Sequence, residues 1–331
     1  MDIRSTSRLP YDLSVIGQGT WQLGADWGDV TEDQALAVLD AAYESGVRFF
    51  DTADVYGDGR SEQLIATYLR SRPSHGITVA TKMGRRANPH TADHYTLDNF
   101  RRWTDRSRKN LGVDTLDLVQ LHCPPSPVLD QETTYEWLDT LVAEDRIAHY
   151  GVSVETCAEA LTAIAHPRVA SLQIIVNAFR QKPLQQVLPA AADAGVAVIA
   201  RVPLASGLLS GKYDLSTTFP DNDHRTYNRQ GEAFDVGETF SGVPFDVGVL
   251  AAGEFTAAVQ AQGVEATPAQ RALRWLIDLP QITTVIPGAR NADQARANAL
   301  AAEQPPLDEA TAKRITEIYD AHIRSHVHDR W

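Results

Sequence analysis

With 331 residues, 43% of them hydrophobic and 22% charged, the chain has the composition of a folded protein rather than a disordered one. That length suits one barrel of alternating strands and helices. The net charge of −13 opposes nonspecific binding to nucleic acid or to an anionic membrane. Cys123 and Cys157 give no disulfide framework, and neither a signal peptide nor a bilayer-spanning run is legible. The expectation is a cytoplasmic protein, without nucleic-acid or membrane partners, that handles a small molecule.

In chain order, a polar lead forms a small hairpin across the bottom of the fold, and a first barrel strand covers 14–20. Thr31 and Gln34 make a capping box, and apolar residues at helical spacing follow up to Gly46. The strand-then-helix unit recurs. Strand 47–51 precedes helix 61–70, strand 77–82 precedes 96–112, strand 116–121 precedes 132–145, and strand 147–152 precedes 155–165. Strand 171–176 with helix 184–194, strand 196–200, and strand 282–286 with helix 291–302 complete the series. Such alternation predicts an α/β fold, a parallel sheet closed into a single (β/α)8 TIM barrel spanning 1–331 as one domain.

The rhythm breaks at 212–249, a long loop after the seventh strand that reads as functional. Helix 267–279 opens on Thr267, Pro268 and Gln270, and a C-terminal helix covers 307–323. His322, His326 and His328 lack a Cys, Asp or Glu partner at ligand spacing, so a solvated tail is expected and no metal site.

Three successive strands end in chemistry. The second closes on Asp51, the third on Lys82 and the fourth on His122, and Tyr56 lies five positions beyond Asp51 on a glycine-bounded loop. In a parallel barrel the C-terminal strand ends share one face, where catalytic groups gather. Read singly, each residue has an ordinary structural explanation; together they make a site.

These four residues, within the string Asp51-Thr52-Ala53-Asp54-Val55-Tyr56-Gly57, resemble the catalytic tetrad of the aldo-keto reductase family. The resemblance runs from Gly17-Gln18-Gly19-Thr20-Trp21 to Ile286-Pro287-Gly288-Ala289-Arg290, nearly the whole chain. It implies reduction of an aldehyde or ketone with NADPH. Reduction of a carbonyl needs a proton at the oxygen where charge develops, and a phenol can supply it. Lys82 would favour the phenolate left on Tyr56, Asp51 would keep Lys82 charged, and His122 would hydrogen-bond the substrate oxygen.

Barrel enzymes often bind phosphate at the loops after strands seven and eight. The first of these loops, Arg201 to Lys212, offers small residues and a cation; Pro203, Leu204, Ser206 and Gly207 are its candidate cofactor contacts. The second, Gly288-Ala289-Arg290, leads into a helix capped by Asn291, with Arg290 suited to an adenosine 2′-phosphate. The resemblance adds Gly19, Thr20, Trp21 and Asp51, with Ser153 and Gln173 for the nicotinamide amide and Gln294 and Asn298 for the adenosine end. Val154, Arg201 and Ala297 depart from the family pattern, where asparagine, an aromatic ring and an acidic residue are usual.

Trp21 and Trp27 are expected to wall the substrate pocket beside Tyr56 and His122, with Phe219, Tyr227, Phe234, Phe240 and Phe245 as lid candidates. Two other functions remain open: a Schiff-base lyase built on Lys82, and a cofactor-sensing regulatory subunit of another protein. The sequence leaves substrate identity and the choice between monomer and homo-oligomer open.

Overall fold

The computed structural model describes residues 1–24, 30–73 and 76–331. A two-stranded antiparallel hairpin, β1 (Ile3–Arg4) and β2 (Leu13–Ser14), precedes eight parallel strands. These are β3 (Gln18–Gly19), β4 (Phe49–Asp51), β5 (Thr78–Met83), β6 (Leu116–His122), β7 (Ile147–Ser153), β8 (Ser171–Ile175), β9 (Ala197–Arg201) and β10 (Thr284–Val285). They hydrogen-bond in sequence order. Bridges between Ile16 and Val285 and between Gly19 and Gly288 join the last strand to the first, so the sheet closes into a barrel.

The helices are α1 (Glu32–Glu44), α2 (Arg60–Arg70), α3 (Leu97–Leu111), α4 (Ser126–Leu129), α5 (Glu132–Ala143), α6 (Cys157–Ala165), α7 (Val187–Ala194), α8 (His224–Tyr227), α9 (Phe245–Gln260), α10 (Pro268–Ile277), α11 (Ala292–Ala299), α12 (Glu309–Ile318) and α13 (Arg324–Val327). The expected capping boxes form at Thr31 with Gln34 and at Thr267 with Gln270. Among the described residues, no helix is long and apolar enough to cross a membrane.

Strand side chains alternate between two cores, as the two-residue period requires. Phe50, Val79, Val119 and Val198 pack outward against the helices. Phe49, Ala80, Leu118, Ala197 and Ile199 point into the barrel, where Leu9 and Leu13 of the hairpin plug the bottom. The inward parity continues up each strand: Phe49 to Asp51, Ala80 to Lys82, Leu118 to His122, Ile199 to Arg201. That parity carries charged groups from a sealed apolar floor to the open C-terminal face.

Four expectations need correction. Ser14 belongs to the hairpin rather than to the first barrel strand, whose ladder with β4 is confined to Gln18–Gly19. The aperiodic stretch 212–249 contains α8 and the start of α9; α9 is rich in alanine and glycine with apolar residues on several sides, which blurs its period. The C-terminal helix continues past Ile323 through a π turn over Tyr319–Ile323. The histidine tail is not all solvated: His328 is buried and bonded to the Tyr319 hydroxyl at 2.8 Å, and His322 pairs with Glu254 at 2.9 Å.

Candidate active site

Strand register sets the first layer of the site. Asp51 lies opposite Ala80, Lys82 opposite Gln120, and His122 opposite Ser153, which in turn faces Gln173. Lys82 Nζ donates to Asp51 Oδ1 at 2.5 Å, to the Thr52 carbonyl at 2.9 Å and to the Tyr56 hydroxyl at 3.4 Å. The Asp51–Lys82 pair is almost wholly buried. Removing one partner of such a pair typically costs about 3–5 kcal/mol, because the other charge is stranded. The Tyr56 loop turns through Gly57 at φ 57°, where a Cβ would lie 2.1 Å from the Gly24 carbonyl oxygen. Only glycine fits there.

The electrostatics are those of a held proton donor. Burial pushes the Tyr56 phenol up, and Lys82 offsets this only in part, so the net direction runs against the acidification expected from the ammonium alone. Burial works against the Lys82 ammonium, but Asp51 and Tyr56 outweigh it and hold its pKa above the ordinary value. Burial, then Arg85, Lys82 and Arg201, push His122 well below the usual imidazole range, so it is neutral. The site therefore presents a protonated phenol beside a fixed cation and a neutral imidazole.

A groove of about 470 Å3 opens from Tyr56 and His122 and runs over the loops after β9 and β10. Every residue that the resemblance assigns to the cofactor lines it. The β9 loop is held in a rare conformation, with positive φ at Val202, Ala205, Ser206 and Gly207. Successive turns of this kind aim backbone N–H groups at one place and make anion-binding concavities. The Ser206 hydroxyl accepts from Phe240 N at 3.0 Å and donates to the Glu238 carbonyl at 3.2 Å, which ties this loop to the long loop. At the far end, Asn291 caps α11 through Gln294 N, and Arg290 reaches Asp223 of the long loop at 3.2 Å.

A family model described as the Aldo/keto reductase family matches residues 15–320. The chain belongs to the aldo/keto reductase family. It is 27% identical over 330 residues to an uncharacterized oxidoreductase, YqkF, of Bacillus subtilis (strain 168), covering 96% of this chain and 98% of that one. It is also 27% identical to the aldo-keto reductase yakc [NADP(+)] of Schizosaccharomyces pombe (strain 972 / ATCC 24843), covering 93% and 89%. Among solved structures, the glycerol dehydrogenase AKR11B4 from Gluconobacter oxydans superposes with a TM-score of 0.77 at 25% identity, covering 99% of this chain and 96% of that one.

Arg201, one of the three departures from the family pattern, lines the groove. Its guanidinium is buried and held by Glu155 at 2.8 Å and the Val154 carbonyl at 3.1 Å, with Glu238 at 3.9 Å. Arg201 is thus paired chiefly with Glu155, while Glu238 is shared with Arg85. Burial pushes Glu155 up; it pushes Glu238 up as well, but Arg85 and Arg201 outweigh it and hold Glu238 down. Gln173 Nε2 donates to Asp51 Oδ2 at 2.8 Å, which fixes the orientation of its amide in the groove. Gln294 and Asn298 bond the Arg290 backbone N–H and the Gly288 carbonyl.

Of the aromatic lid candidates, Phe234 meets Trp21 edge-on at 5.6 Å between ring centroids, and Trp21 itself stacks on Tyr56 at 6.1 Å. Tyr227 packs on Phe234, whereas Phe219, Phe240 and Phe245 pack on one another. Trp27 lies outside the described residues. Cys123 lines the groove, and burial pushes its thiol up, which suppresses the thiolate.

Sequence reasoning missed Arg85, Glu155, Asp223 and Glu238. Arg85 and Glu155 lie just past strand ends already singled out, a signal that was available. Asp223 and Glu238 sit in the aperiodic loop, where no spacing marks them.

Proposed function

We propose that this chain reduces an aldehyde or ketone to the alcohol with NADPH, Tyr56 giving the proton to the carbonyl oxygen. The observation that carries the reading is the Asp51–Lys82–Tyr56 hydrogen-bond chain ending at the mouth of the groove beside His122. The groove's chemistry fits NADPH. Arg290, Lys212 and Arg225 line one end of it with positive charge. The Schizosaccharomyces pombe relative carries NADP(+) in its name, and an aldo-keto reductase from Klebsiella pneumoniae that shares the fold was solved in complex with NADPH.

Bound NADPH would supply the hydride for the carbonyl carbon. Ser153 and Gln173 would hold its nicotinamide amide, the β9 loop with Lys212 its pyrophosphate, and Arg290 its 2′-phosphate. Tyr56 keeps its proton until charge develops on the substrate oxygen, because burial raises its pKa. Lys82 then stabilises the phenolate left behind, and Asp51 holds Lys82 charged and aimed. His122 flanks the oxygen, and Trp21 and Phe234 wall the apolar side of the pocket.

A lysine kept protonated by Asp51 is a poor nucleophile, which counts against the Schiff-base alternative. Adding NADPH and then a panel of sugar, aromatic and short aliphatic carbonyls separates the readings. The proposal expects quenching of tryptophan fluorescence followed by NADPH oxidation with at least one carbonyl. Quenching without turnover would point to a cofactor sensor instead.

A further inference from the structure

Part of the long loop, residues 233–242, meets the groove at three points. Phe234 stands against Trp21, Glu238 binds Arg85 and lines the groove, and the Phe240 N–H donates to the Ser206 hydroxyl of the β9 loop at 3.0 Å. The regular structure within it is only two single 3-10 turns, Val236–Glu238 and Phe240–Gly242. Turns this short have poor hydrogen-bond geometry, so their rigidity depends on what packs against them.

What packs against them is Trp331, whose ring is 4% exposed. A Cβ on Gly237 would lie 3.0 Å from its Cε2 and one on Gly242 2.3 Å from its Cη2, so the indole fills the space that two absent side chains leave. Its N–H donates to Asp235 Oδ1 at 3.0 Å, and the same oxygen caps the first turn by accepting from Gly237 N at 2.7 Å. Arg180 lies over the ring, its guanidinium carbon 3.8 Å from the centroid. That side chain is buried, and its Nε and Nη2 have no hydrogen-bond partner among the described residues, so the ring face stands in for missing acceptors.

We propose that Trp331 is a positioning residue for the cofactor groove: its indole and N–H fix the turn at 235–239, and through it the bracket in which Ser206 is bonded to both the Glu238 carbonyl and the Phe240 N–H. The inference rests on the NADPH reading above, in which the β9 loop holds pyrophosphate. Trp331 is not itself among the residues lining the groove, and it touches no member of the tetrad, which strand register holds. Loosening the turn therefore costs cofactor affinity and spares proton transfer from Tyr56.

The test compares Trp331→Phe, which keeps a ring and loses the N–H donor, with Trp331→Ala, which empties the slot. In titrations followed by NADPH emission, the dissociation constant should rise about fivefold in Trp331→Phe, the scale of one hydrogen bond, and further in Trp331→Ala. At saturating NADPH, kcat should not fall. In a Ser206→Ala background the same Trp331→Phe change should weaken binding less, because the two residues act in one chain of contacts. A folded Trp331→Ala that binds NADPH as the wild type does, or a loss of equal size with and without Ser206, overturns the proposal.

Hydrogen exchange in the cofactor-free protein gives a readout that needs no NADPH. The Gly237 and Phe240 amides should exchange faster in Trp331→Phe, with β5 and β6 unchanged; a rise spread evenly over the barrel would mean general destabilisation and contradict the assignment. Should Trp331→Ala not fold, Trp331→Phe decides the matter. A wild-type protein that does not bind NADPH would remove the carbonyl-reduction reading and the cofactor role with it, while the exchange rates still judge the positioning of the turn: unchanged rates at Gly237 and Phe240 overturn it in either case.

Discussion

At the scale of single residues, the string Asp51 to Gly57 carried the most information, and each of its polar members has a distinct fate. Asp51 bonds Lys82, Thr52 bonds Ser61, and Tyr56 meets Lys82. Asp54 is the exception: it is buried, and both its carboxylate oxygens lack partners among the described residues. Burial, with Glu62 adding to it, pushes its carboxyl up to about 8. In the unfolded chain the same group titrates near 3.9. The native state therefore holds the extra proton between those values. Its contribution to stability is full below about pH 4 and is lost as the pH rises to about 8, by at most about 1.4 kcal/mol per pH unit. Asp54→Asn removes the titration, so its unfolding free energy relative to wild type should rise between pH 5 and pH 8. A pH-independent difference in urea titrations would mean that Asp54 is ionised in the folded protein.

At the scale of elements, the β10 loop and the long loop meet over the groove, and this was only half legible. Arg290 announced itself by standing between Gly288 and the Asn291 cap. Its partner Asp223 did not, because nothing in an aperiodic stretch of 212–249 says which carboxylate folds back. Asp223 binds Arg225 at 2.5 Å and Arg290 at 3.2 Å. Arg225 lines the groove as a second cation, whereas Arg229 packs over Phe240 and Phe245 instead. A 2′-phosphate arriving at Arg290 competes with the Asp223 carboxylate. Arg290→Ala should weaken NADPH binding by about 1.5–3 kcal/mol, the range for hydrogen bonds to charged groups, and leave NADH nearly unchanged. Asp223→Asn should shift the NADPH-to-NADH preference the other way. Paired dissociation constants by fluorescence titration check both, and equal losses for the two cofactors in Arg290→Ala would remove the phosphate-reading role.

At the scale of the whole molecule, the barrel was readable because its period is coarse: eight short apolar runs separated by capped helices. The ends of those runs were less so. The ladder between β10 and β3 is short, and barrel closure rests on contacts such as Gly17 N to the Val285 carbonyl at 2.8 Å and Gly19 N to the Pro287 carbonyl at 3.1 Å. Close approach of two backbones leaves no periodic mark, only glycines. A Cβ on Gly19 would lie 2.8 Å from the Ile286 carbonyl oxygen. Gly19→Ala should therefore destabilise the fold by about 1–3 kcal/mol, the usual range for overpacking, and weaken cofactor binding with it, since Gly19 lines the groove. Thermal melts with and without NADPH would show both effects, and an unchanged melting temperature would mean that the closure tolerates a side chain. The same closure brings Asp51, Tyr56, Lys82 and His122 to one face, and the account stands on those four acting together on a carbonyl. Its most direct test is Tyr56→Phe, which removes one hydroxyl and leaves the groove's cofactor contacts in place. With NADPH and the best carbonyl of the panel, kcat should fall by a factor on the order of 10² or more while the NADPH dissociation constant stays close to wild type; near-normal turnover in that variant would contradict the mechanism.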